Sequence, residues 1–158
     1  MRESTPDHDA HGRRFAIVAS RFNAELVERL VSGATTVLKA RGASDDDLEL
    51  LWVPGSFELP LASRWLAASG RFDAVIAIGV LIEGETEHFR LVAEAATQGL
   101  QRVALETGVP VLHGVLAVHD LAQAEARAGG AHNRGAEVAL AAVAMANLHH
   151  AQSAGARS

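Results

Sequence analysis

The segment from Ile82 to Val92, IEGETEHFRLV, holds the residues of this chain that are best suited to chemistry. Its histidine, His88, falls in the first turn of a predicted helix, where a neutral imidazole can accept and return a proton. The positive end of the helix disfavours the protonated ring, whereas Glu83, Glu85 and Glu87 favour it. The segment is therefore a candidate for proton transfer, and a structural histidine above the buried helix face is the alternative.

The same turn has the features of an anion-binding site. Gly84 allows the backbone to approach a ligand closely, and Thr86 is a candidate N-cap. The backbone N–H groups of Glu85 and Thr86 precede the helix, where unpaired N–H groups and the helix dipole attract anions. Anion binding would explain the glycine and the threonine but not the histidine.

A second candidate group lies in VPGSFELP, residues 53–60. Its Pro-Gly pair predicts a tight turn, after which Ser56 can cap a helix that begins near Phe57. Glu58 fits either a carboxylate that complements the helix dipole or an acceptor for a polyhydroxylated ligand. Phe57 and Phe22 could bracket a flat ring, although packing in the core explains each of them equally well.

Basic side chains cluster around the fourth predicted strand. They are His113, His119, Arg127, His132 and Arg134. The chain has no H-x-x-x-H or H-E-x-x-H pair, so a metal site is disfavoured. Arg127 precedes a predicted helix end, where it would complement the helix C-terminus, and its planar guanidinium would also suit a phosphate.

These residues lie at the ends of alternating strands and helices. The strands are predicted from apolar runs, as in parallel sheets covered on both faces: Phe15–Ser20, Leu48–Val53, Ala74–Leu81 and Val111–Leu116. The helices fill the gaps: Ala24–Ala40, Glu58–Ser69, Glu87–Thr107, Leu121–Ala128 and Arg134–His149. Glycines follow four helix ends, where a left-handed residue is favoured: Gly42, Gly70, Gly108 and Gly129.

Right-handed crossovers between such units predict a three-layer αβα sandwich, with helices on both faces of a four-stranded parallel sheet. Ligands of such sheets bind beyond the carboxyl ends of the strands, where the candidate residues fall. The chain contains neither G-x-G-x-x-G nor a Walker motif, which disfavours a dinucleotide or nucleoside triphosphate site.

The 158 residues suffice for about one domain. We expect a mobile arm over residues 1–13, a single domain over 14–150 and a tail over 151–158. The absence of cysteine excludes disulfides and thiolate zinc sites and allows a reducing cytoplasm. The net charge of −5 argues against nucleic-acid binding. Because neither a signal peptide nor an apolar run of about twenty residues is present, we expect a soluble protein without a membrane segment.

The last predicted helix, RGAEVALAAVAMANLHH, has hardly any polar face. A helix that is apolar nearly all round is buried on more than one side. In a domain of this size another subunit is the simplest second cover, so we expect a homo-oligomer. A single, well-covered core helix is the alternative.

The motifs together resemble those of the lumazine synthase family, from about Phe15 to Leu148. The resemblance lies in the order and spacing of SRFN, VPGSFELP, GVLIEGETEHF, PVLHGVL, AQAEARAG and NRGAEVALAAVAMANL. It implies a flavodoxin-like sheet and a transferase of riboflavin biosynthesis. Such an enzyme condenses 5-amino-6-(D-ribitylamino)uracil with 3,4-dihydroxy-2-butanone 4-phosphate, forming 6,7-dimethyl-8-ribityllumazine, phosphate and water. No cofactor or metal follows from it.

The resemblance also implies roles for individual residues. His88 would shuttle protons during imine formation, phosphate loss and ring closure. Arg127 would bind the phosphate from the neighbouring subunit of a pentamer. The other implied substrate-binding residues are Phe22 and Asn23 on the first loop, Ser56, Phe57 and Glu58 at the ribityl chain, Val80, Leu81 and Ile82 at the ring edge, Glu85 and Thr86 at the phosphate, and His113 from the neighbour.

Several positions depart from the family pattern. Glu83 stands where arginine or lysine is usual, and His113 replaces a phenylalanine. Ala117 and Val118 replace a polar pair, and Arg134 replaces a lysine. These departures leave a weakly active or inactive, flavin-binding and shell-forming paralogue as an alternative, and a monomeric FMN module as a third. The short connector GGAHNRG permits twelve pentamers to close into a sixty-subunit capsid.

Overall fold

A parallel four-stranded sheet forms the centre of the molecule. The computed structural model describes residues 1–155. The strands are β1 (Phe15–Ser20), β2 (Leu48–Val53), β3 (Ala74–Ile82) and β4 (Val111–Val118), in the order β2-β1-β3-β4. The central strands are buried on both faces, because helices cover each side. The predicted αβα fold class is confirmed.

Five helices within residues 1–155 form the two outer layers. They are α1 (Ala24–Ala40), α2 (Leu59–Ala67), α3 (His88–Thr107), α4 (Leu121–Arg127) and α5 (Arg134–Gly155). Helices α1 and α5 share one apolar core with the sheet, and α2 and α3 share the other. Short 3₁₀ turns precede β2, α2 and α5, at Asp45–Asp47, Ser56–Glu58 and Gly130–His132. Within the described part of the chain, every helix is too short or too polar to span a bilayer.

Three glycines end helices as predicted, with φ of 112° at Gly42, 73° at Gly70 and 70° at Gly108. The prediction for Gly129 is wrong, because this residue is extended, with φ of −150°. Gly130 takes the left-handed conformation instead, with φ of 61°. The chain therefore turns one residue later than predicted, at the start of the 3₁₀ turn.

Helix α5 is covered largely within the chain. It packs along α1 and against β3 and β4, and Val138, Ala139, Ala142 and Val143 are buried there. Helix α1 thus packs on α5 where another subunit was expected to do so. This agrees with the alternative of a well-covered core helix. Helix α5 also continues to Gly155, beyond the predicted end at His149, because no glycine or proline interrupts it earlier.

The N-terminal segment is attached to the domain. Ala10 is fully buried, and its N–H donates to the carbonyl of Arg41 at 2.9 Å. Asn147 on α5 donates to the carbonyls of Asp7 and Asp9, at 3.0 and 2.8 Å, and accepts from Arg13 Nε at 2.8 Å. Within the expected arm, the backbone of residues 7–10 is thus bound by Asn147 and by the carbonyl of Arg41. Residues 156–158 of the expected tail lie outside the described residues.

Gly135 allows α5 to approach α1 closely, because it has no Cβ atom. A Cβ atom at Gly135 would lie 1.9 Å from the backbone oxygen of Leu30, a contact that only a backbone shift can relieve. We expect Gly135→Ala to lower the free energy of unfolding by about 1–3 kcal/mol. Urea denaturation at fixed protein concentration measures the change. Gly84→Ala is the matched control, since a Cβ there meets nothing within 4 Å. Equal unfolding midpoints for the two variants would contradict the packing argument.

Candidate active site

A cleft of about 650 Å³ lies at the carboxyl ends of the strands, the position predicted for a ligand. Its size suits a small molecule. Three segments form its walls: the loop after β1, the turn after β2, and the turn after β3 with the first residues of α3. The lining residues are Phe22, Gly55, Ser56, Phe57, Glu58, Leu81, Ile82, Gly84, Thr86, His88, Phe89, Leu91 and Val92.

The first wall is the loop that carries Phe22. Asn23 adopts a left-handed conformation, with φ of 56°, which asparagine tolerates better than most residues. Its Nδ2 atom donates to the carbonyl of Val80 at 2.8 Å, which ties the loop to β3. Phe22 is left 63% exposed at the cleft. Asn23 therefore fixes the loop without lining the cleft itself.

The second wall is the 3₁₀ turn Ser56–Glu58. Phe57 is 63% exposed, so core packing does not explain either this ring or that of Phe22. The side chain of Ser56 does not cap a helix as predicted, because Ser56 lies inside the turn. Its hydroxyl is buried and has no hydrogen-bond partner within residues 1–155. A Cβ at Gly79 would lie 2.5 Å from this oxygen, so the glycine in β3 makes room for it.

The third wall is the turn before α3. His88 is the first residue of the helix and lines the cleft with an exposed side chain. Glu87 occupies the N-cap position that was predicted for Thr86. The hydroxyl of Thr86 instead accepts from the N–H of His88 at 3.4 Å. Thr86 therefore lies one residue before the N-cap, because the turn after β3 extends to Glu87.

The remaining predicted residues do not line this cleft. Val80 is fully buried below it, and Glu85 is exposed outside it. His113 is half-buried on β4, where its Nε2 lies 2.9 Å from the hydroxyl of Thr97 on α3. Burial lowers the pKa of His113, and the nearby charge of Arg134 acts in the same direction.

Arg127 opens into a different cleft, of about 500 Å³, on the side of α4 and α5. Its Nη1 donates to the carbonyl of Gln123 at 3.1 Å, which agrees with the predicted interaction with the helix end. Arg134 and His132 line the same cleft, and Arg134 pairs with Glu137 at 2.8 Å. Within one chain, His88 and Arg127 are therefore in separate clefts.

Some residues of the site were not predicted. Phe89 and Leu91 line the main cleft, and Leu91 follows His88 by three positions, so helical spacing could have indicated it.

Asn133 caps α5 by accepting from Ala136 N at 3.0 Å. Its amide also donates to the carbonyls of Arg29 and Ala128, both at 3.1 Å, which joins three helices. From the sequence, only the capping role of Asn133 could have been predicted, because an asparagine there stands just before a predicted helix.

Metal ligands do not gather in this region. Across residues 1–155, no three histidine, aspartate or glutamate side chains lie together so that they could hold an ion. The polar side chains available in the main cleft are thus the imidazole of His88, the carboxylate of Glu58 and the hydroxyls of Ser56 and Thr86.

Comparison with known proteins decides the family. The model of the 6,7-dimethyl-8-ribityllumazine synthase family matches residues 12–150. The chain belongs to this family. The matched range includes every wall of the main cleft as well as α4 with Arg127, so it is not confined to one motif.

Individual relatives in the lumazine synthase family agree. The 6,7-dimethyl-8-ribityllumazine synthase of Xanthomonas euvesicatoria pv. vesicatoria is 49% identical over 136 residues, 85% of this chain and 88% of the relative. The proteins of the same name from Stenotrophomonas maltophilia and Xylella fastidiosa are 49% and 47% identical, over 85% and 87% of this chain and 88% and 90% of their own lengths. The resemblance noted in the sequence is confirmed.

The lowered pKa of His113 predicts a pH-dependent stability. Its ordinary value is 6.5, and the folded protein takes up this proton at lower pH than the unfolded chain. The free energy of unfolding should therefore fall as the pH drops from about 6.5 toward the pKa of the folded state. Urea denaturation between about pH 7 and pH 5 measures this. His113→Phe should remove part of the dependence, whereas His150→Gln, at an exposed site, should not. Identical pH dependence in His113→Phe and the parent protein would contradict the prediction.

Proposed function

We propose that this chain condenses 5-amino-6-(D-ribitylamino)uracil with 3,4-dihydroxy-2-butanone 4-phosphate. The products are 6,7-dimethyl-8-ribityllumazine, phosphate and water, in the penultimate step of riboflavin biosynthesis. The observation that carries this proposal is the family match over residues 12–150, which includes the cleft and its histidine. The chain is thus an enzyme of the transferase class.

The ribitylaminouracil would occupy the apolar part of the cleft. The exposed ring of Phe22 would stack on the pyrimidine, with the edges of Leu81 and Ile82 beside it. The ribityl hydroxyls would bind along the turn Ser56–Glu58. The unpartnered hydroxyl of Ser56 and the carboxylate of Glu58 are the polar groups there, and a buried hydroxyl gains stability from a partner.

The phosphate of the second substrate would bind at the turn before α3. The N–H groups of Glu85 and Thr86 precede a 20-residue helix, whose N-terminal end carries partial positive charge. An anion bound there lies beside His88, the first residue of the helix. The butanone carbonyl would consequently reach the amine of the pyrimidine next to the imidazole.

His88 would transfer protons in this arrangement. The amine attacks the ketone carbonyl and forms an imine with loss of water, after which phosphate leaves and the ring closes with loss of a second water. Each step moves a proton between carbon, nitrogen or oxygen atoms that the imidazole can reach. Because an amine and a ketone need little besides alignment, proximity would supply much of the rate. Organic cofactors and metals are not required.

We propose that the complete site lies between two copies of the chain. Arg127 and His113 are outside the main cleft of their own chain, so only another copy can bring them to it. Helices α2 and α3, which pack together, also leave four large apolar side chains more than half exposed: Leu61, Trp65, Leu91 and Leu105. A monomer rarely leaves so much apolar surface in water. A second copy that covers α2 and α3 would remove this surface from water.

The proposed assembly is a homo-pentamer, the arrangement that the resemblance implies. Twelve pentamers would form the larger, sixty-subunit shell that the short connector between α4 and α5 permits. We place the protein in the cytoplasm, since the chain has no cysteine for which an oxidising compartment would matter. Neither nucleic acid nor membrane is a partner in this proposal.

Two variants separate the roles of the proposed residues. His88→Ala should lower kcat by about 100-fold, the lower end of the range for general acid–base catalysis. Arg127→Ala should raise KM for the butanone phosphate by about 10- to 100-fold, because a charge-assisted phosphate contact is lost. Formation of the fluorescent lumazine from both purified substrates measures each effect. His150→Ala and Arg41→Ala, both exposed and outside the clefts, are the matched controls. If the parent protein makes no lumazine from the two substrates, the proposed function is wrong.

A further inference from the structure

A carboxylate and a histidine meet at the edge of the sheet next to the main cleft. Glu83 directly follows β3, and His119 directly follows β4. The strand ends are paired, Ile82 with Val118, and the N–H of Glu83 donates to the carbonyl of Val118 at 2.9 Å. The Nδ1 atom of His119 contacts the carboxylate of Glu83. Since a carboxylate only accepts hydrogen bonds, this ring nitrogen is the donor.

His119 is connected onward to the helix that carries Arg127. The N–H of His119 donates to Oε1 of Gln123 at 2.9 Å. The N–H of Gln123 donates to the N-cap carboxylate of Asp120 at 2.8 Å, and the carbonyl of Gln123 accepts from Arg127 Nη1 at 3.1 Å. A continuous set of contacts therefore runs from the turn before α3 to Arg127.

The position of Glu83 is electrostatically unfavourable for an anion. Two residues of chain span at most about 7 Å, so its backbone lies within about that distance of Glu85. The screening length at physiological salt is about 8 Å, and a charge in this turn is therefore felt at the proposed phosphate site. Glu87 has its own cationic partner, Arg90 at 2.8 Å, which also contacts Glu94 at 3.1 Å. Glu83 instead accepts a hydrogen bond from Nδ1 of His119.

We propose that His119 is a positioning residue of the reaction. It holds the carboxylate of Glu83 against the loop between β4 and α4, so that this charge does not occupy the phosphate-binding turn. The backbone N–H of His119 also donates to Gln123 in the first turn of α4, a contact that does not depend on the imidazole. The inference rests on the proposed function, because the turn is assigned to phosphate by that function. An exposed contact of this kind contributes little to folding, and the effect is therefore on binding of an anion.

Charge removal at Glu83 distinguishes this role from a structural one. His119→Ala leaves the carboxylate unpaired and should raise KM for the butanone phosphate about 5- to 10-fold, with kcat changed less than about twofold. KM for the ribitylaminouracil should stay the same. In the double variant Glu83→Gln with His119→Ala, KM for the phosphate substrate should return to near the parent value. A loss of structure in the loop would not be rescued by the second change.

The matched control is an ion pair outside both clefts. Arg71, which is 50% exposed, pairs with Glu49 on the edge strand at 2.6 Å. Arg71→Ala should leave KM for the phosphate substrate unchanged. The difference between His119→Ala and the parent protein should also shrink in about 0.5 M salt, where screening is stronger.

Titration with inorganic phosphate provides a readout that does not depend on turnover. Calorimetry should show weaker phosphate binding to His119→Ala and restored binding to the double variant. If the parent protein makes no lumazine, the proposed function fails, while this titration still tests the pairing. The inference is overturned if His119→Ala retains the parent KM and phosphate affinity, or if the double variant keeps the defect.

Discussion

Parallel pairing of the strands is the constraint on which the site depends. Because β1, β2 and β3 run in the same direction, the loops that follow them meet at one edge of the sheet. The phenylalanine after β1, the 3₁₀ turn after β2 and the histidine at the start of α3 are brought together from residues far apart in sequence. The α3 N-terminus adds its positive end at the same edge. The burial of the apolar strands therefore determines where the residues of the main cleft come together.

The same geometry excludes Arg127 from the cleft of its own chain. Strand β4 is at the edge of the sheet, and α4 follows it on the side of α5, away from the loop after β2. An arginine there is available to a neighbouring copy. The Gln123 carbonyl accepts a hydrogen bond from this arginine, and Asn133 donates to the carbonyl of Ala128 at the end of α4. In the proposed oligomer, each chain thus contributes a histidine to one site and an arginine to the next, and the contacts from Glu83 to Arg127 join the two within a chain.

The sequence was sufficient for the features that follow from local patterns. Strands β1 and β2 and helix α1 have the predicted bounds, because apolar runs and glycines mark them. Other features depend on contacts between distant residues. Ser56 was expected to cap a helix, but a close approach to Gly79 directs its hydroxyl toward β3. The apolar residues on all sides of α5 indicated that a further element packs on this helix, but they did not show that the element is α1. The contact of His119 with Glu83 depends on strand register, which composition does not report.

Mixing of two variants tests the shared site most directly. Assemblies of His88→Ala and of Arg127→Ala are each dissociated, combined in equal amounts and allowed to reassociate, with the mass confirmed by light scattering. If each site takes its histidine and its arginine from different copies, about a quarter of the sites in randomly mixed rings regain both residues. At low butanone phosphate concentration, the mixture should then be clearly more active than the mean of the two separate variants. A mixture with only that mean activity, or a mass showing monomers, would contradict the account.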